Sequence, residues 1–150
     1  MSHEPPPVSW EFRRQTLACS EALLRILHSA LDTYGDDMES FVIYLAVCCA
    51  NISGPLRDAQ LAASPPPPGP MDSRFLRPVS RRAIAASTGL SRETVRRKIA
   101  AFLARGDLVV EGAGVRMRDQ LLEEPRHFEF AQTLMREFSR TGAAIATPPA

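Results

Sequence analysis

In the 150-residue chain the stretch with the most directed chemistry is "SRETVRRK", Ser91 to Lys98. On a helix, at about 100° per residue, Val95, Ile99, Phe102 and Leu103 fall on one side and Glu93, Arg97, Ala100 and Ala101 on the other, while Arg92 projects from the first turn. The polar side suits the edge of a base pair. An arginine can donate two parallel hydrogen bonds to guanine, a glutamate can accept from the cytosine amino group, and small alanines let a helix lie close in a groove. Arg92, Glu93 and Arg97 are therefore the candidate base-reading residues. Ser91, Thr94, Arg96 and Lys98, with the amides of the helix start, suit phosphate oxygens, and Arg81 and Arg82 just upstream add backbone-binding charge. A plainer reading exists: Glu93 and Arg97 are four apart, and an exposed ion pair on a solvated face is worth roughly 0.3–0.5 kcal/mol.

The elements that must hold these side chains are legible nearby. Ser80 can cap a short helix, "RRAIAAST", Gly89 marks a turn, and Ser91 caps a second helix reaching Arg105. Ile84, Ala85 and Leu90 would receive its apolar side. "LVV", "EGAG" and "VRMR" then read as a small hairpin over 108–118. Alternation along its second strand turns Met117 to the core, and Arg116 and Arg118 to the DNA backbone or minor groove.

"VSRRAIAASTGLSRETVRRKIAAFLARGDLVV" resembles the winged helix-turn-helix of bacterial transcription regulators, most closely the DNA-binding domain of the catabolite activator (Crp/Fnr) family. That family's recognition helix begins with a similar "SRETV" segment, whose Arg-Glu pair and a further Arg read base edges. The resemblance implies these roles for Arg92, Glu93 and Arg97. No cyclic-nucleotide-binding β-roll precedes the motif, so that ligand is not carried over. Long terminal helices around a winged core are similar to the layout of MarR-like dimeric regulators, an analogy of fold alone.

Charge placement agrees with a nucleic-acid partner. The formal net charge is +1, but residues 1–73, 74–118 and 119–150 carry balances of −5, +8 and −2. A basic middle between acidic flanks is the footprint of phosphate binding.

Outside the 74–118 module, residues 1–8 and 143–150 are expected to be disordered. Residues 9–53 should form helices that serve the core and dimerisation. Trp10, Leu17, Leu24 and Leu31 recur every seven residues, with Leu23 and Leu27 widening the stripe. "YGDD" should end this helix, and Asp36 or Asp37 should cap a second, "MESFVIYLAVCCANI", apolar on nearly every face and hence central. Gly54-Pro55 should end that helix, leaving 54–73 as a proline-rich linker. Within 119–142, Pro125 starts a last helix with the stripe Phe128, Ala131, Leu134, Met135 and Phe138. Trp10, Leu17, Leu24, Leu31, Phe128, Leu134, Met135 and Phe138 form the expected homodimer interface, which would repeat the module on two half-sites. The alternative is that both stripes fold back on one chain's core.

Other classes find less support. Cys19, Cys48 and Cys49 are an odd set without zinc-ligand spacing, as in a reducing cytoplasmic setting. The longest apolar run, "FVIYLAVCCA", is ten residues against the ~20 of a membrane span, and the start lacks a signal peptide's pattern. His3, His28 and His127 are scattered, and no phosphate-cradling glycine loop or metal motif is present. No catalytic residue, metal or cofactor is expected. The sequence points to a mainly α protein, a winged helix-turn-helix with helical extensions and a small hairpin, that binds double-stranded DNA and regulates transcription. Operator, effector and sense of regulation are not legible. The alternative is a winged-helix module that docks a protein on its basic face, which would show no preferred DNA sequence.

Overall fold

A computed structural model of the chain describes residues 7–35 and 37–146. The elements are α1 (Trp10–Tyr34), α2 (Met38–Leu56), α3 (Ala59–Ala63), α4 (Arg81–Thr88), α5 (Arg92–Arg105), β1 (Leu108–Glu111), β2 (Gly114–Met117) and α6 (Pro125–Ala146). Single 3-10 turns lie at Ser73–Phe75 and Leu121–Glu123. The protein is mainly helical, with one small antiparallel sheet in which Leu108 faces Met117 and Glu111 faces Gly114. Residues 1–6, Asp36 and 147–150, for which disorder or a cap was expected, lie outside the described residues.

Local chemistry sets the boundaries. Ser9, Asp37, Ser80 and Ser91 each accept a hydrogen bond from an amide of the turn they cap, satisfying donors that the helix leaves unpaired. Between α4 and α5, Gly89 adopts φ +71 and donates to Ala85 O, a left-handed closure that favours glycine.

α2 is the central helix. Phe41, Ile43, Tyr44, Val47, Cys48 and Asn51 are buried on it, and they join Ile84, Val95, Ile99, Phe102, Leu108, Val115 and Met117 in one core. It is long and apolar enough to cross a bilayer, yet it packs against α1, α4, α5 and β2, the setting of a core helix. α6 runs antiparallel to α1, with Arg25 on Glu137 and Gln15 Nε2 donating to Ile145 O. Residues 143–146, expected to be disordered, extend α6 to Ala146; alanine is the best helix former.

The expected end of α2 at Gly54-Pro55 is corrected. Both residues sit inside its last turn. Proline removes the donor that would bond Asn51 O, and that carbonyl accepts from Arg77 N–H instead, at 3.0 Å. The side chain completes a staple: Asn51 Nδ2 donates to Arg77 O at 2.6 Å, and Asn51 Oδ1 accepts from Met117 N–H at 2.8 Å. One buried asparagine thus ties α2 to the segment before α4 and to β2. Next to it, Val79 and Val115 exchange two backbone bonds of 2.9 Å, which adds a bridge to the free edge of β2. Gly114 is needed there, since a Cβ would stand 3.0 Å from Val79 O. The 54–73 segment is not a plain linker either. It holds the end of α2 and α3, and Pro65–Pro68 face Leu56, Leu61 and Phe75 across an apolar cavity of about 620 Å³.

Candidate nucleic-acid interface

α5 divides as its spacing requires. Val95, Ile99 and Phe102 are buried against the core, while Arg92, Glu93, Arg96, Arg97, Ala100 and Ala101 are exposed. α4 packs across α5 and leaves Arg81 and Arg82 exposed at its start. The structure therefore brings Arg92, Glu93 and Arg97 together on one open helical face.

The charges on that face are organised differently from the spacing argument. Glu93 pairs with Arg96, through bonds of 2.9 and 2.6 Å, and its carboxyl is held below the usual range by that hydrogen bond. Arg97 Nη2 is 4.0 Å from Glu39 Oε2. Arg92 forms none of the ion pairs found among the described residues, and it stands in the first turn. Ser91 donates its hydroxyl to Thr94 Oγ1 at 3.0 Å while accepting from Thr94 N–H. Both hydroxyls are thereby engaged in the cap.

Lys98 is corrected from a backbone-binding flank to an internal tie. Its side chain is 17% exposed, and Nζ lies 2.8 Å from Asp37 Oδ2 and 3.8 Å from Glu39 Oε2. Burial opposes ionisation of Asp37, but hydrogen bonds from Lys98 and Ser40 hold its carboxyl below the ordinary value. The acids come from the start of α2, and sequence reasoning missed them because they lie far away along the chain.

Arg116 is corrected in the same sense. Its side chain is 14% exposed, and it donates to Glu111 at 2.5 Å, to Asp119 at 2.9 Å and to Met117 O at 2.8 Å. It braces the hairpin rather than projecting from it. Arg118 is ion-paired with Glu124. Met117 faces the core, at 2% exposure. Of the arginines that the sequence assigns to DNA, those left exposed are thus the ones on α5 and at the start of α4.

Two further polar clusters lie behind this face. Asp107, buried after α5, accepts from Arg105 and Arg126 at 3.0 Å each, joining α5 to α6. His127, on α6, has Nδ1 3.1 Å from both Tyr34 Oη and Tyr44 Oη, and Nε2 makes no hydrogen bond. Burial, then the neighbouring Arg126, lowers its pKa to about 4. The shared nitrogen can serve one tyrosine as acceptor or donor at a time, and the ring is neutral at pH 7. Only its helical position was readable in the sequence. Cys48 is buried and its thiol is pushed up to about 12 by burial, so it is no thiolate at neutral pH. Cys19 and Cys49 are exposed.

The expected interface helices pack on each other within the chain. Trp10, Leu17, Leu24, Phe128, Met135 and Phe138 remain exposed. Leu134 is corrected: it packs on the chain's own core, because its angle on α6 turns it toward α1. Leu31 is half-buried on its own chain. Among the described residues no group of three or more His, Cys, Asp or Glu could hold a metal ion. No family model, curated protein or solved structure matches the chain.

Proposed function

We propose that the chain is a winged helix-turn-helix protein that binds double-stranded DNA in a sequence-specific way and regulates transcription. α5 is its recognition helix, β1 and β2 its wing, and the Val79–Val115 bridge the third strand of the small sheet. The carrying observation is the exposed side of α5. Arg92 and Arg97 stand with Ala100 and Ala101 on a face that rigid packing of Val95, Ile99 and Phe102 holds outward. An α-helix fits the major groove, and arginine is the side chain best matched to guanine there.

Glu93 takes part as the partner of Arg96. In the free protein the two neutralise each other, and on DNA Glu93 accepts from a cytosine amino group while Arg96 turns to a phosphate. Arg81 and Arg82 neutralise backbone phosphates beside the α4 start. Lys98, Arg116 and Arg118 hold elements in place.

Titration of a labelled random duplex with the purified protein at several salt concentrations tests this reading. Binding should weaken with salt along a log–log slope of about −0.9 per phosphate contacted. A slope near zero, or no binding at low salt, sinks it in favour of a protein-docking role for the same face.

A further inference from the structure

One side of the α1/α6 hairpin is apolar in a seam register. On α6, Phe128, Ala131, Met135, Phe138, Gly142 and Ile145 follow at alternating spacings of three and four residues, the repeat of a helix that packs along another helix. All six are exposed, Phe138 by 67% and Met135 by 63%. A Cβ added at Gly142 would meet nothing within 4 Å. The charged residues of this stretch, Glu129, Arg136, Glu137 and Arg140, all lie off the seam.

α1 continues the patch. Its packed face carries Ala22 and Arg25, against the α6 face that carries Glu137. Phe12 and Leu23, both exposed, lie round α1 from that face in the same rotational sense as the seam lies round α6. Because the helices are antiparallel, one rotational sense opens toward one side of the hairpin, so these two residues border the seam. Leu24 and Leu17 stand about 100° and 120° further round α1. The seven-residue stripe of Trp10, Leu17 and Leu24 is therefore a different strip.

We propose that the seam of α6, bordered by Phe12 and Leu23, is the interface between two copies of this chain. Its area fits. With ~200 Å² for a large apolar side chain, the exposed parts of Phe12, Leu23, Phe128, Met135, Phe138 and Ile145 offer roughly 700 Å² per copy. Two such patches bury about 1,400 Å², within the ~1,200–2,000 Å² of stable interfaces. The pattern also complements itself. An antiparallel pairing of two seams centred between Arg136 and Glu137 sets Phe128 of each copy against Ile145 of the other, Ala131 against Gly142, and Met135 against Phe138. Large side chains meet at the centre and at both ends and small meets small between, each contact occurring twice, as a two-fold interface requires.

The test uses the full chain without DNA, so its failure leaves the DNA-binding reading standing. Light scattering coupled to gel filtration at micromolar concentration compares the wild type with Met135→Glu/Phe138→Glu and Leu17→Glu/Leu24→Glu. All four positions are exposed, and circular dichroism verifies that each variant is folded. The wild type is expected at twice the chain mass, the α6 variant at the chain mass, and the α1 variant still at twice. A wild type at the chain mass, a dimer that survives the α6 pair, or a dimer lost through the α1 pair overturns the proposal.

Discussion

Lys98 Nζ sits 2.8 Å from Asp37 Oδ2, and the same Asp37 side chain caps α2 by accepting from Ser40 N–H. One carboxylate therefore fixes both the start of the central helix and the flank of α5. Lys98→Met should lower stability by about 0.5–1 kcal/mol, the scale of a partly exposed pair, and leave the salt slope of DNA binding unchanged. Urea melts and a salt titration check this. A slope reduced by about one contact would return Lys98 to the phosphate-binding set.

Arg116 is tied to Glu111, Asp119 and Met117 O, so Arg116→Ala should act on the hairpin. A stability loss of about 1–2 kcal/mol is expected, with both acids largely solvated, while affinity for random DNA stays constant. Unchanged stability with weakened DNA binding contradicts the bracing role.

Asn51→Leu should be far more damaging. It strands Met117 N–H in the interior and takes the donor from the part-buried Arg77 C=O, at ~1–3 kcal/mol for a buried group left unpaired. A loss of at least about 2 kcal/mol in denaturant melts is expected, and one below 0.5 kcal/mol would show that water replaces the staple.

These assignments mark what the sequence could and could not carry. Ser80, Gly89 and Ser91 act on amides within a few residues, so the two short helices and the turn between them were legible. The hairpin followed from its glycines. Asn51 was not legible, because its partners stand 26 and 66 residues away. A helical wheel places Lys98 and Arg96 alike on the flanks of α5, and only packing of α2 beside α5 makes one a tie and leaves the other exposed. Pro55 reads as a stop because its missing donor is visible in the sequence, whereas Arg77, whose N–H satisfies the orphaned Asn51 carbonyl from the segment before α4, is not. Leu134 and Met135 are neighbours in one stripe, and packing against α1 separates them.

His127 sets an acid limit on stability. Its pKa is lowered from 6.5 to about 4 by burial and by Arg126, Asp107 opposing and Arg118 adding to the shift, with Glu124 3.6 Å from Nε2. Between those values the unfolded chain takes up a proton that the folded chain refuses. The contribution is complete above about pH 6.5 and is lost as pH falls toward 4, by up to ~1.4 kcal/mol per pH unit. Melts at pH 7 and pH 5 should show this loss, and His127→Phe should flatten it. Equal pH dependence in both proteins contradicts the assignment.

The central claim is that exposed arginines on α5 read sequence, and selection of bound fragments from genomic DNA by the purified protein tests it most directly. One recurring motif should be enriched, and Arg92→Ala and Arg97→Ala should each weaken binding to it by about 1–3 kcal/mol while affinity for random DNA changes little. No enriched motif, or equal losses on both DNAs, would contradict the account.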